Sequence, residues 1–206
     1  MKKALIVTRV SGFVPQFELD HVKILQNLGY EVHYAANMNV VVYGKDNSRL
    51  EGTGLICHHI DFCRSPFSTR VVESYRALKE LLCREEFDLI HCHMPMSGVV
   101  ARFAAQAVYR KNKKRVLVLY TAHGFHFYKG APFKNWIYYL PERFLSRYTD
   151  RLITMNEEDY VRAGRFPVRG KVEKISGVGI SLQNMDSRDT QKTKEIRKEI
   201  PLEERK

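Results

Sequence analysis

The sequence contains no long hydrophobic run. After the amino-terminal Met-Lys-Lys, only residues 4–7 are continuously apolar before Arg9 interrupts them, and no later segment reaches spanning length. A run this short can neither form the core of a signal peptide nor cross a bilayer. We therefore expect a cytoplasmic protein whose contact with any membrane is peripheral.

Cysteine is also scarce, with four residues in a chain of 206 and no Cys-x-x-Cys pair. Cys57 and Cys92 fall within predicted buried strands, so we expect reduced core thiols of a cytoplasmic protein. This arrangement argues against a disulfide framework.

Acidic residues are in the minority. There are 23 of them against 34 Lys and Arg, which gives a formal net charge of +11. Such an excess indicates an anionic partner: a phosphorylated small molecule, an acidic membrane surface or nucleic acid. Because the basic residues are scattered and no recognised nucleic-acid-binding motif is present, we expect no nucleic acid partner.

What the sequence does contain is a regular alternation of short apolar segments with amphipathic ones. Strands are predicted at residues 4–8, 31–36, 55–60, 88–93, 115–121, 151–154 and 172–175. Helices are predicted at residues 16–28, 68–84, 96–109 and 133–148. Pro141 should kink the last of these or divide it in two, and Asn156 should cap a further helix. This order predicts one α/β domain with a single doubly wound, mostly parallel Rossmann-like sheet and helices on both faces.

The most informative stretch is residues 120–130, where a predicted strand gives way to histidines, aromatics, a lysine and two glycines. His123 follows the carboxyl end of that strand, where open α/β sheets bind their ligands. The alternative is a helix-capping loop whose aromatics pack under the next helix. Gly12, in the turn after the first strand, is an isolated glycine that indicates either a backbone approaching a ligand or a simple tight turn.

A metal site is a second possibility, because His91, His93, His123 and His126 could converge if their strands are neighbours. Period-two alternation places His91 and His93 on one face of their strand. Zinc accepts imidazole ligands, but no carboxylate or cysteine at ligand spacing completes the set on that face. We therefore expect no metal, and we interpret His91 as a buried, hydrogen-bonded strand histidine.

Several segments carry a resemblance to a known family. Residues 89–98, 120–132, 146–159 and 177–180 resemble the amino-terminal half of bacterial family 4 glycosyltransferases of the capsular and exopolysaccharide type. The resemblance implies the GT-B architecture, in which one Rossmann-like domain holds the acceptor and a second holds the nucleotide-sugar donor. It also implies a retaining transfer from a UDP-linked sugar, which is a substrate, with no cofactor.

The same resemblance assigns roles to particular residues. His123 corresponds to the cleft histidine that contacts the sugar at the reaction centre, and the turn containing Gly12 corresponds to the loop near the donor diphosphate. Further substrate-binding positions are His93, Thr121, Gly124, His126, Lys129 and Asn156. Lys129 would hold an acceptor phosphate as a point charge.

The resemblance covers residues 1–185, and residues 186–206 are expected to be a charged linker or the start of a donor-binding domain. We therefore expect the isolated chain to be inactive. The expected partners are a nucleotide-sugar, a lipid-linked glycan acceptor and the anionic inner face of the cytoplasmic membrane, with Phe125, Phe127, Tyr128 and Trp136 towards the lipid. The alternative is a non-catalytic module that binds a partner protein, such as a separately encoded donor domain.

Overall fold

The computed structural model describes residues 1–112 and 115–177. Its seven strands are β1 (Lys2–Val10), β2 (Tyr30–Asn37), β3 (Ile56–His59), β4 (Leu89–His93), β5 (Leu117–Ala122), β6 (Arg151–Thr154) and β7 (Lys171–Lys174). They form one sheet in the spatial order β3-β2-β1-β4-β5-β6-β7, and every neighbouring pair is parallel. The predicted doubly wound parallel sheet is confirmed.

Helices cover both faces of this sheet. They are α1 (Phe13–Phe17), α2 (Leu19–Asn27), α3 (Arg70–Glu85), α4 (Pro95–Asn112), α5 (Tyr139–Leu145) and α6 (Glu157–Ala163). Successive β1 side chains point to opposite faces, so Ile6 packs in a cluster with α1 and α2 while Leu5 and Val7 pack in a cluster with α3 and α4. Each face of the sheet therefore has its own hydrophobic core.

The first helical segment departs from the prediction. One helix was expected at residues 16–28, but the chain forms α1 and α2 with a break at Glu18, whose φ is −124°. Glu18 is only 2% exposed, so the break turns a carboxylate into the interior. Gly29 ends the segment with φ of +80°, as expected for a glycine after a helix.

The aromatic segment after β5 divides as Pro141 predicted. A 3-10 helix spans Phe133–Tyr138, α5 follows, and a further 3-10 turn spans Ser146–Tyr148. Pro141 lies in the first turn of α5, where its missing N–H costs no hydrogen bond.

Two predictions about burial were wrong. Phe125 and Phe127 do not face outward; they stack on each other with ring centroids 4.7 Å apart inside the core, whereas Tyr128 and Trp136 are exposed. Cys57 is exposed because β3 is the edge strand of the sheet, while Cys92 on the central β4 is buried as expected. The four thiols are free.

Helix α4 packs closely on β5. A Cβ atom at Gly98 would lie 2.7 Å from the Tyr120 ring, so only glycine fits there. Arg102 is fully buried beside it, with its guanidinium 4.0 Å from the centre of the same ring. It donates to the two carboxylate oxygens of Glu142 at 2.6 and 3.2 Å, which ties α4 to α5.

The predicted charged segment at residues 186–206 lies outside the described residues, as do residues 113 and 114.

Candidate active site

A cavity of about 310 Å³ opens at the carboxyl edge of the sheet, beyond β1, β4 and β5. The strand order reverses between β1 and β4, so the cavity lies at the topological switch point of the sheet. This is the usual position of a ligand in an open α/β sheet. Its lining is mostly aromatic and includes Phe13, Phe17, Tyr43, Met94, Pro95, Tyr120, His123, Gly124 and His126. Three predicted site residues, His123, Gly124 and His126, therefore share one cavity.

The turn that contains Gly12 packs directly against the loop that follows β2. The amide of Gly12 donates to the carbonyl of Val41 at 3.1 Å, and a Cβ atom at Gly12 would lie 2.4 Å from that oxygen. This close approach explains the glycine without a ligand. Its predicted position near a donor diphosphate stays a prediction.

Three of the four histidines singled out by the sequence converge beneath the cavity. His91 and His93 lie on the same face of β4, as predicted, with ring centroids 4.1 Å apart. His93 Nδ1 is 3.2 Å from Nε2 of His123, which follows the neighbouring strand β5. His126 stands apart, with its ring packed on Tyr138 at 5.2 Å.

Glu18 joins this cluster from the break between α1 and α2. Its Oε2 accepts a hydrogen bond from His21 Nδ1 at 2.6 Å, and its Oε1 lies 3.7 Å from His93 Nδ1. The sequence pattern does not reveal this residue, because a glutamate within an amphipathic segment is normally solvated. The one available signal is its i,i+3 spacing to His21.

Phe13 of α1 closes the cluster from above. Its ring centroid is 5.1 Å from those of both His93 and His123. His93 beneath this ring is fully buried, while His123 is exposed in the lining of the cavity.

Burial controls the charge of these imidazoles. It lowers the pKa of His91 to about 4 and lowers the pKa of His93 well below its ordinary value. His123 is more exposed, and partial desolvation of its ring lowers its pKa as well. The hydrogen bond that His21 donates to the Glu18 carboxylate raises the pKa of His21 instead. At neutral pH the three clustered rings are therefore neutral, and His21 is the ring that pairs with the carboxylate.

Glu18 also bears on the metal question. The expectation that no carboxylate completes the histidine set on that face was wrong: potential ligand atoms of Glu18, His91 and His93 lie within 4.8 Å of one another. Two imidazoles on one tetrahedral ion, with metal–nitrogen bonds of about 2 Å, would have centroids about 5 Å apart. The His91 and His93 rings pack at 4.1 Å, so we interpret the cluster as a hydrogen-bonded network. The absence of a metal stays a prediction.

Thr121 and Gly124 support the site through the backbone and the hydrogen-bond network. The Thr121 hydroxyl is 2.8 Å from Nε2 of His91, which confirms that His91 is a buried, hydrogen-bonded strand histidine. Gly124 has φ of +137°, a conformation that strains any other residue, so it lets the chain turn directly after His123. Substrate contacts of Thr121 and Gly124 stay predictions.

Asn156 caps α6 as predicted. Its side chain accepts from the amide of Asp159 at 2.8 Å and donates to Oδ2 of the same residue at 2.8 Å. The buried Asp159 carboxylate in turn accepts from the amide of Phe125 at 3.0 Å. Asn156 and Asp159 thus fasten the loop that carries His123, and Lys129 further along this loop is exposed, with its amide bonded to Glu158.

A sheet of this order with a polar and aromatic cavity at its switch point defines a Rossmann-like ligand-binding domain. The chain belongs to the glycosyl transferase 4-like domain family, whose model matches residues 19–175. This confirms the family indicated by the sequence resemblance.

Individual relatives agree with this assignment. The chain is 43% identical over 184 residues to "Putative glycosyltransferase EpsD" of Bacillus subtilis (strain 168), an alignment that covers 88% of this chain and 45% of EpsD. It is 30% identical over 99 residues to the UDP-Gal:alpha-D-GlcNAc-diphosphoundecaprenol alpha-1,3-galactosyltransferase of Escherichia coli, covering 47% of this chain and 24% of that enzyme.

The fold is that of half a GT-B glycosyltransferase. A glycosyltransferase structure from Rickettsia africae ESF-5 superposes with a TM-score of 0.58 at 15% identity, covering 97% of this chain and 50% of the other. The chain thus spans less than half the length of the two curated relatives. Among the described helices, none combines the length and the apolar character needed to cross a membrane.

Proposed function

We propose that this chain is the acceptor-side half of a retaining glycosyltransferase that moves a sugar from a UDP-sugar to a lipid-linked glycan during exopolysaccharide or capsule synthesis. The observation that carries the proposal is the cavity at the switch point of the sheet, into which His123 projects at the end of β5. The family assignment supports transfer of a sugar, and the cavity supports the position of the acceptor.

The lining of the cavity suits a sugar ring. Phe13, Phe17 and Tyr43 supply aromatic faces against which the C–H face of a sugar can pack, and His123 and His126 supply polar ring nitrogens. In a retaining transfer the departing diphosphate leaves a cation-like sugar. A neutral imidazole at His123 can fix a hydroxyl of that sugar by a hydrogen bond without adding positive charge.

The donor would occupy a second domain facing this cavity. The relative named for UDP-Gal supports a UDP-sugar, and its diphosphoundecaprenol acceptor supports a lipid diphosphate as the anchor of the glycan. The positive charge of the chain favours such an acceptor, and Lys129, exposed on the loop after His123, is our candidate for its phosphate. The reaction as proposed uses no cofactor or metal.

A lipid-linked acceptor would place the enzyme at a membrane surface, and we propose that this is the inner face of the cytoplasmic membrane. The surface best suited to this contact is formed by Phe133, Ile137 and Leu140, which are 93%, 65% and 71% exposed. The exposed cations Lys134 and Arg143 lie beside these residues in the sequence. Apolar side chains can enter the headgroup region while the cations attract anionic lipid.

Transfer itself is tested by joining this chain to the remaining half of EpsD and supplying labelled UDP-sugars with polyprenyl-diphosphate glycans. We expect labelled lipid product from the joined protein and none from the isolated chain, since donor and acceptor must be held together. Calorimetry of the isolated chain with UDP-sugars should show no tight binding. Micromolar binding would instead mean that the donor half is dispensable, and stable co-purification with a separate chain would favour the partner-binding alternative.

Membrane contact is tested by vesicle flotation. Phe133, Ile137 and Leu140 are changed together to serine, and Phe67→Ser serves as the control because Phe67 is 90% exposed on a distant segment. The triple variant should lose binding to anionic vesicles and the control should retain it. Equal binding of the native chain to neutral and anionic vesicles at low salt would remove the electrostatic part of the argument.

A further inference from the structure

The position of one proton within the histidine cluster follows from its contacts. Neutral His93 carries a single ring proton, on either Nδ1 or Nε2. Its Nε2 is completely buried and has no hydrogen-bond partner among the described residues, whereas its Nδ1 lies 3.2 Å from His123 Nε2 and 3.7 Å from a Glu18 carboxylate oxygen. A buried N–H without a partner is much rarer than a buried lone pair without one. The proton therefore belongs on Nδ1.

This placement determines the state of His123. If His93 Nδ1 donates, then His123 Nε2 must accept, and the single proton of a neutral His123 is on its Nδ1. Nδ1 of His123 has no hydrogen-bond partner in the described part of the chain, and His123 is exposed in the lining of the cavity. The proton would thus be offered to whatever occupies the cavity.

We propose that Glu18 and His93 are positioning residues that hold His123 as the Nδ1–H tautomer, so that His123 donates a hydrogen bond to an oxygen of the bound sugar. The functional part of this proposal rests on the proposed glycosyl transfer, but the tautomer does not. Glu18 acts through charge: its carboxylate beside His93 Nδ1 favours a proton on that nitrogen. Phe13 packs on the His93 ring, which is fully buried, so this proton is shielded from competition by solvent.

The choice of tautomer also restricts the ligand. A donor at Nδ1 selects a hydroxyl or phosphate oxygen with a free lone pair, and it disfavours an ammonium or amide N–H at the same point. A sugar hydroxyl meets this requirement, and it can in turn donate to a further acceptor.

The tautomer can be measured in the 206-residue chain by long-range proton–nitrogen NMR with labelled histidine. The informative pair is His93→Asn and His93→Gln, because an asparagine amide takes the place of Nδ1 whereas a glutamine amide takes the place of Nε2. Both remove the ring and leave a similar volume. We expect His123 to be Nδ1–H in the native chain and in His93→Asn, and to shift towards Nε2–H in His93→Gln.

A second pair tests Glu18. Glu18→Gln removes the charge beside His93 and should reduce the Nδ1–H population of His123. Glu31→Gln is the matched control, because Glu31 pairs with His33 Nε2 at 2.9 Å on β2, outside the cluster. An Nε2–H tautomer in the native chain, or the same tautomer in both His93 variants, would overturn the proposal. If the tautomer of His123 were unchanged in Glu18→Gln, Glu18 would not be a positioning residue.

The functional part has its own measurement in the protein joined to the EpsD half. His93→Gln should lower kcat about tenfold or more relative to His93→Asn, with little difference in KM for the donor, since His123 would be present in the wrong tautomer rather than lost. Equal kcat values would overturn the link to transfer. The absence of any transfer by the native joined protein would count against the proposed function, and the NMR result would stand separately.

Discussion

The histidine cluster should make the fold sensitive to acid. Burial lowers the pKa of His91 from 6.5 to about 4. Between these two values His91 is protonated in the unfolded chain but remains neutral in the folded chain. The contribution of His91 to stability is therefore fully present above pH 6.5 and is lost as the pH falls towards 4. At 1.36 kcal/mol for each tenfold change in proton affinity, His91 alone accounts for about 3 kcal/mol.

Other groups of the cluster modify this figure. The lowered pKa values of His93 and His123 act in the same direction as that of His91. The raised pKa of His21 acts in the opposite direction, because folding then favours its protonated form, and this contribution is present at low pH and lost as the pH rises. His21 is only half buried, so solvent screens its contribution and the net effect should still be a loss in acid.

The assay is urea unfolding at a series of values between about pH 7 and about pH 5. His91→Gln is the test variant, because a glutamine amide can reach the Thr121 hydroxyl as Nε2 does but does not titrate. It should flatten the dependence of the free energy of unfolding on pH, whereas the exposed His126→Gln should not. If His91→Gln kept the native pH dependence, or if the native chain grew more stable in acid, the reasoning would be refuted.

Three further changes test the packing around the site. Arg102→Ala should lower the free energy of unfolding by about 3–5 kcal/mol in urea titrations, because it leaves Glu142 buried and unpaired; a loss below about 1 kcal/mol would contradict the buried pair. Gly98→Ala should cost about 1–3 kcal/mol in the same assay, since its Cβ would meet the Tyr120 ring at 2.7 Å, and a neutral result would argue against that contact. Asp159→Ala should speed hydrogen exchange at the Phe125 amide, and unchanged exchange would show that Asp159 does not hold the loop.

Local patterns were sufficient to predict most of the fold. Short Val, Ile and Leu runs indicated the seven strands; β6 was predicted with its observed bounds, and parallel order followed from the helices between the strands. Asn156 caps its helix and Pro141 interrupts its segment as predicted. Both effects depend only on residues that are close in the sequence.

The contacts that local pattern could not predict are those between distant segments. Glu18 lies in a segment predicted as one amphipathic helix and Arg102 lies in α4, and for both the ordinary expectation is a solvated side chain. Only tertiary structure places them beside His93 and Glu142. Phe127 was expected at the surface but is buried in the core. The burial of an aromatic loop depends on which helix packs over it, and local sequence does not predict that contact. The histidine cluster was anticipated in part, since neighbouring strands bring His91, His93 and His123 together, but its carboxylate was not.

The most direct test of the account compares His123→Ala with His126→Ala in the protein joined to the EpsD half. Both histidines lie in the cavity, but only His123 is tied to the buried cluster. We expect His123→Ala to lower turnover by about a hundredfold or more, the usual scale for loss of a positioned catalytic group, with the fold intact by circular dichroism. His126→Ala should cost much less. Equal and small losses for the two variants would mean that this block is structural and that the catalytic residues lie elsewhere.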